Sequence, residues 1–352
     1  MIRVLQFILM LGSMILMIFL IHFYLLRRIC STFKIKYTKR KLLLTIFIVL
    51  CVPGSVILSR MFESTTSRLI STVSFTYLGI LMTVFSVFLL TEVLRLFIKS
   101  KKALRHFILI VSLVLIMFSF YSALSIVVED VNIYTDKISD NASIVLLTDI
   151  HLDVLNKQKL PNKIVPLTNE LKPDFVFITG DLVDSSDLTQ EDFNWIANIS
   201  APVFFVNGNH ESHTGIKDDN LLENTKMVLL KDRTVEYNTE FTIIGRDYGT
   251  SRNVSTLIDD LDKERFNIFL SHVPITFADI SHSNVDLVLS GHTHAGQLFP
   301  FNLIVGAIYP LNHGLYQENN QSVYVSPGTG TWGPSMRLGS TSEITHIHLL
   351  KK

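Results

Sequence analysis

The sequence predicts an α/β domain carried behind a membrane-spanning region of about four helices. Three observations lead there. Apolar residues crowd the first 130 positions in blocks long enough to cross a hydrocarbon core of about 30 Å. Beyond about residue 140, short apolar runs alternate with polar segments of helical pattern. Five of those runs end in Asp, Asn or His. Of the 352 residues, 48% are hydrophobic and 18% charged, against about 25% charged in an ordinary soluble domain. The formal net charge is zero, so it points to neither nucleic acid nor an acidic partner, and no nucleic-acid partner is expected.

Residues 2–26 form the first apolar block, interrupted only by Arg3, Gln6 and a few small polar residues. It is longer than the apolar core of a cleavable signal peptide, and Arg27-Arg28 follows it where a small-residue cleavage site would stand, so a retained span is expected. Further spans are expected at 42–59, 69–91 and 107–128, with Pro53-Gly54 kinking the second. The third, with Ser71, Thr72, Ser74 and Thr76, is the least apolar. Arg27, Arg28, Lys34, Lys36, Lys39, Arg40 and Lys41 fill the first connection, and Arg95, Lys99, Lys101, Lys102 and Arg105 the third. The second holds only Arg60, Glu63 and Arg68. The positive-inside rule then puts the two basic loops in the cytoplasm, and everything after about residue 130 outside a multi-pass cell-membrane protein. An odd number of spans would invert this.

Glu129–Asn141 reads as a polar connector, giving an anchor over 1–130 and a second domain over 140–352. Strands are expected at 143–149, 174–180, 202–207, 241–245, 266–271, 285–290, 322–326 and 343–349. Helical patterns lie at 157–171, 188–198 and 253–264. The closing strands suggest a mixed sheet, and about 210 residues suffice to bury a core.

Strand ends carry the chemistry. Side chains alternate along a strand, so Asp149 and His151 are expected on one face at the end of the first run. Gly180-Asp181, Asn207-Gly208-Asn209-His210, Ser271-His272 and Gly291-His292-Thr293-His294 close the others. Converging carboxylates and imidazoles read as a metal site. Both cysteines, Cys30 and Cys51, lie in the apolar part, so any metal in the second domain must be held by N and O donors. In three of these turns, at Gly180, Gly208 and Gly291, a Gly before the ligand lets the backbone come close to the site.

In this order, Asp149-x-His151, Gly180-Asp181-x-x-Asp184, Gly208-Asn209-His210-Glu211, His272 and Gly291-His292-Thr293-His294 resemble the calcineurin-like metallophosphoesterase family. The segments Gly291–Gln297 and Gly328–Ile344 resemble its membrane-associated bacterial branch, which includes diacylglucosamine pyrophosphatases acting on UDP-linked lipids. The resemblance implies a calcineurin-like α/β sandwich with mixed sheets. It also implies one ion on Asp149, His151, Asp181 and His294, and a second on Asp181, Asn209, His272 and His292, with Asp181 bridging. A hydroxide bridging the ions would attack phosphorus. His210 would not be a ligand; it would protonate the leaving oxygen, oriented by Asp184. An imidazole titrating near neutrality is suited to that task, and a carboxylate partner raises its pKa. The cofactors are then two divalent ions, with Mn, Fe, Zn and Co all compatible with the donors.

Other residues carry less. Glu211 and His213 read as rim polar groups rather than substrate contacts. Arg337 is either a fork for phosphate or a structural loop arginine. Arg246 stands where the family more often has an aliphatic residue. His346 and His348 alternate along the last run and are expected to be exposed, while His282 and His313 have no ligand-like context. Trp195 is assigned to the core and Trp332 to a loop anchor. The expected function is a membrane-anchored dimetal phosphoesterase, acting either on a phosphorylated substrate at or near the bilayer, lipid-linked or part of a wall polymer, or on soluble phosphoesters with the tether only localising it. The competing expectation is a membrane receptor or assembly protein that binds metal without turnover. Transport is disfavoured, because the spans show no convincing intramembrane charge pair.

Overall fold

The computed structural model describes residues 2–62 and 64–352, so Glu63, counted above among the charges of the second connection, lies outside the described residues. The chain divides into two compact units, Met1–Phe120 and Tyr121–Lys352.

The first unit is built from α1 (Ile2–Phe33), α2 (Lys39–Met61), α3 (Thr65–Leu94) and most of α4 (Lys101–Leu124). All four are long and apolar enough to cross a membrane. α2 starts where the Thr38 side chain accepts from Lys41 N, and it stays helical through Pro53. α3 opens with a capping box between Ser64 and Ser67. Its hydroxyls are tolerable in an apolar setting because they bond within the helix. Ser71 Oγ donates to Arg68 O at 2.9 Å and Thr83 Oγ1 to Gly79 O at 2.9 Å. One acidic group, Glu92 on α3, takes an ion pair from Arg28 and a hydrogen bond from Tyr24 on α1.

The fourth span is shorter than expected. It ends at Leu124, and Ile126–Thr135 becomes strand β1 instead of anchor and connector. Val131, Ile133 and Thr135 alternate inward and are buried, while Glu129 and Asp130 are exposed. This strand belongs to the second unit, which therefore begins well before residue 140.

That unit contains β2 (Ala142–Leu147), β3 (Phe175–Thr179), β4 (Val203–Val206), β5 (Val228–Leu229), β6 (Arg233–Tyr237), β7 (Phe241–Gly245), β8 (Phe266–Leu270), β9 (Leu287–Ser290), β10 (Gly314–Glu318), β11 (Gln321–Val325) and β12 (Ser342–Lys351). All eight expected strands are present. They form two six-stranded mixed sheets, β1-β12-β2-β3-β4-β5 and β10-β11-β9-β8-β7-β6. β2, β3, β4 and β5 run parallel, as do β7, β8, β9 and β11.

Strict alternation places the core. Ile144 and Leu146 of β2, with Phe175, Phe177 and Phe204, face Ile243, Ile268, Leu270 and Leu289 of the other sheet. Val145, Leu147, Val176, Ile178 and Phe205 turn the other way and are covered by Ile164, Phe193 and Ile196. On the far side, Ile244, Phe269, Val288 and Val323 pack under Leu257, Ile258 and Ile280. Helices thus cover both outer faces of a two-sheet sandwich, which is why the central strands read as unbroken apolar runs. The helical patterns shrink on folding: Pro161–Glu170 is α-helical, Gln190–Asn198 is a 3₁₀ helix, and 253–264 keeps only Ser255–Ile258.

Candidate metal centre

The C-terminal ends of β2, β3, β4, β8 and β9 open at one edge of the sandwich, the position where open α/β sheets bind ligands. Asp149 and His151 reach it by a different route from the one expected. β2 stops at Leu147, and Asp149 and His151 both sit at φ 51° in a loop. Asp181 (φ 51°), His292 (φ 72°) and His294 (φ 50°) share this left-handed conformation, costly for non-glycine residues and concentrated at functional sites. Neighbouring loops hold it in place: Asp149 N donates to Gly180 O (3.1 Å), His151 N to Asp181 O (3.0 Å) and Asp184 N to Leu152 O (2.8 Å). The glycines matter through close approach. A Cβ on Gly208 would collide with the Asp181 carboxylate, and one on Gly291 with Thr148 and Asp149.

The structure brings all seven expected ligands together in two groups. In the first, His294 Nε2 lies 3.3 Å from Asp149 Oδ1 and 3.1 Å from His151 Nε2. In the second, His272 Nε2 lies 3.2 Å from Asp181 Oδ2, 3.1 Å from His292 Nδ1 and 3.0 Å from Asn209 Oδ1. Asp181 Oδ2 is also 3.9 Å from His151 Nε2, so this one oxygen stands between the groups. Each carboxylate has its other oxygen fixed by a backbone N–H, His292 N to Asp149 Oδ2 (2.9 Å) and His210 N to Asp181 Oδ1 (2.8 Å). Outer contacts aim the rings: His272 Nδ1 bonds Thr179 O at 2.9 Å, and His292 Nε2 meets Tyr309 OH at 3.1 Å.

These groups fit divalent cations. Buried Asp149 Oδ1 makes no hydrogen bond and faces His294 Nε2 at 3.3 Å, a costly arrangement unless a cation takes the oxygen. Burial pushes the His151 imidazole down to about 4 against the pull of Asp181 and Asp184, and holds His294 well below its usual value. Two such rings with Nε2 atoms 3.1 Å apart present converging lone pairs that one cation could share. Burial also opposes charge on His272, but Asp181 raises it to about 9. Burial favours protonated Asp181, yet His272 beside it holds the carboxyl well below the usual range.

His210 behaves differently. Its Nδ1 lies 2.7 Å from Asp184 Oδ1, leaving Nε2 toward the site, 3.9 Å from Asp181 Oδ2. Burial works against a charged ring, but Asp184 and Asp181 together raise its pKa. Glu211, beside His210, departs from the sequence reading. It is not a rim group but 4% exposed, accepting from Gly208 N (2.6 Å), Leu182 N (2.7 Å), Asp181 N (3.0 Å) and Val183 N (3.1 Å). Burial and Asp181 push its carboxyl up to about 7 against those donors. The available signal was a Glu three residues after the helix N-cap Gly208, placed to accept from the N-cap N–H.

Arg337 resolves to the structural choice. It is fully buried, and its guanidinium donates to the carbonyls of Pro327 (2.8 Å), Gly328 (3.1 Å) and Gly330 (2.7 Å), locking the loop over Asp149. His346 and His348 are not fully exposed: both bond Asp130 Oδ1 at 2.9 Å, and His346 is buried, away from this site. His213, His282 and His313 are exposed. Trp195 packs against the core, and Trp332 is half exposed.

Residues 142–296 match the family described as calcineurin-like phosphoesterase. An "Uncharacterized metallophosphoesterase" of Helicobacter pylori strain J99 is 35% identical over 238 residues, 64% of this chain and 64% of its own length. A Campylobacter jejuni relative of similar description is 34% identical over 239 residues, 64% of this chain and 63% of its own. A Danio rerio "Transmembrane protein with metallophosphoesterase domain" is 32% identical over 256 residues, 63% of this chain and 57% of its own. The chain thus spans somewhat less than two thirds of the length of these curated relatives.

Proposed function

With residues 142–296 a calcineurin-like phosphoesterase domain, we propose that this protein is a membrane-anchored, dimetal-dependent hydrolase of phosphoester or pyrophosphate bonds, its active site facing outside the cell. Asp149, His151 and His294 would hold one ion and Asn209, His272 and His292 the other, with Asp181 shared. Two divalent ions, when bound, supply charge neutralisation at the phosphoryl oxygens and acidify water for attack. The observation carrying this reading is Asp181 Oδ2 placed between the two imidazole groups.

The chain's own groups do the rest. His210 presents a protonated Nε2 to the leaving oxygen, because Asp184 fixes Nδ1 and stabilises the imidazolium. Glu211 keeps the 181–183 and 208 turns in register, so Asp181 and Asn209 hold their spacing without mobile side chains. The anchor, with four helices long and apolar enough to cross a membrane, favours a phosphorylated substrate at or near the bilayer.

The test uses the full chain in detergent with Mn²⁺ and bis(p-nitrophenyl) phosphate. Turnover is expected, and His210→Ala should retain its metal while kcat on an alkyl phosphoester, whose leaving oxygen needs a proton, falls by about 10²-fold or more. Metal-loaded protein without turnover on mono-, di- or pyrophosphate esters would favour the binding-only receptor instead.

A further inference from the structure

We propose that the helix Phe301–Ile308 lies in the headgroup layer of a lipid bilayer, so that the metal cleft takes a phosphate borne by an amphiphile at that depth. The substrate half of this inference rests on the phosphoesterase reading above. From Ala295 to Asn312 the chain contains no charged residue. The helix FNLIVGAI buries none of its residues, and Leu303, Ile304 and Ile308 are 67%, 49% and 62% exposed. Single exposed leucines are ordinary, but a whole uncovered apolar helix is an interaction surface.

That surface reaches the cleft on both sides. Just past the helix end, Tyr309 OH meets His292 Nε2 at 3.1 Å. Just before its start, Gln297 grips the Trp332 backbone twice, Nε2 to Trp332 O (2.9 Å) and Oε1 from Trp332 N (3.0 Å). The half-exposed Trp332 ring stands 6.4 Å from that of His210. Tyrosine and tryptophan with one wet and one apolar end suit a membrane interface.

The occupant follows from the end of α4. Ser122 Oγ donates to Ser340 O (3.2 Å), and Ser342 Oγ donates to Ala123 O (3.1 Å), fixing its last turn to the 340–342 loop. Asn302 Nδ2 in the apolar helix donates to Gly339 O (3.3 Å) in the same stretch. One loop therefore holds both the end of a span-length apolar helix and the start of the uncovered one. Such a short uncharged helix would sink about 5–10 Å into the headgroup and acyl boundary. A phosphate at the cleft mouth would then sit at headgroup level, with its acyl or prenyl chain remaining in the bilayer.

The test uses the full chain reconstituted in vesicles. Bimane is attached at Ile304→Cys in a Cys30→Ala/Cys51→Ala background. Quenching by acyl-chain-brominated lipid with protection from aqueous iodide is expected. Quenching by iodide, or shielding from both (a protein partner on this face), overturns the lipid contact. In a second arm, Leu303→Ser/Ile304→Ser/Ile308→Ser should keep turnover of soluble bis(p-nitrophenyl) phosphate. It should lose about tenfold on vesicle-borne hexadecyl p-nitrophenyl phosphate, whose anchoring depends on chain burial. Equal retention on both substrates overturns the amphiphile claim. If the unsubstituted protein hydrolyses neither, the phosphoesterase reading fails, while the bimane arm still decides the lipid contact.

Discussion

Replacing Asp184 by Asn isolates the proton-donor role of His210. Asn keeps the size and one acceptor oxygen, but removes the charge 2.7 Å from His210 Nδ1. A hydrogen bond to a charged group contributes about 1.5–3 kcal/mol, and each pKa unit corresponds to about 1.36 kcal/mol. Asp181 remains as a second raising influence, with Oδ2 3.9 Å from Nε2, so the lower end applies and the shift should be about one unit. The sign is fixed by the direction of the native shift. A raised His210 pKa keeps the acid protonated to higher pH, so activity is full below that pKa and lost as pH rises through it. Asp184→Asn must therefore move the basic limb of kcat/KM toward lower pH. The assay is kcat/KM against pH for the full chain with a poor leaving group, with metal content measured at each point. A uniform loss at every pH with an unmoved basic limb would refute the assignment and leave Asp184 a merely structural residue.

Glu211→Ala should strip four buried backbone donors of their acceptor, lowering stability by about 3–5 kcal/mol and releasing metal. Glu211→Gln, which keeps one acceptor oxygen, should lose less in the same thermal-unfolding measurement, and equal losses would contradict the clamp. Lys263, whose side chain is 78% exposed, reports orientation. Lys263→Cys should react with a membrane-impermeant maleimide in intact cells, whereas labelling only after lysis would place the domain in the cytoplasm.

Legibility followed burial. Strands covered on both faces, such as Val145–Leu147 and Phe175–Ile178, stand out because neither face tolerates polarity. The strands that escaped are those at or near sheet edges: two-residue β5, the exposed Arg233–Tyr237 and Gly314–Glu318, and β1 with Glu129 and Asp130 exposed. The site residues were readable as side-chain types at loop positions. The route by which Asp149 and His151 converge was not, because left-handed φ values leave no mark in a period-two pattern. Glu211 and Arg337 were underread for a shared reason. Most of Glu211's partners, at 181–183, and those of Arg337, at 327–330, are backbone groups of other turns, which side-chain patterns do not reveal.

The most direct measurement is electron paramagnetic resonance of the full chain loaded with Mn²⁺. If Asp181 joins the two groups of imidazoles, the spectrum should show two ions per chain as an exchange-coupled pair, and Asp181→Asn should abolish the coupling. A single isolated Mn²⁺, or two uncoupled ions in the unsubstituted protein, would contradict a shared dinuclear centre.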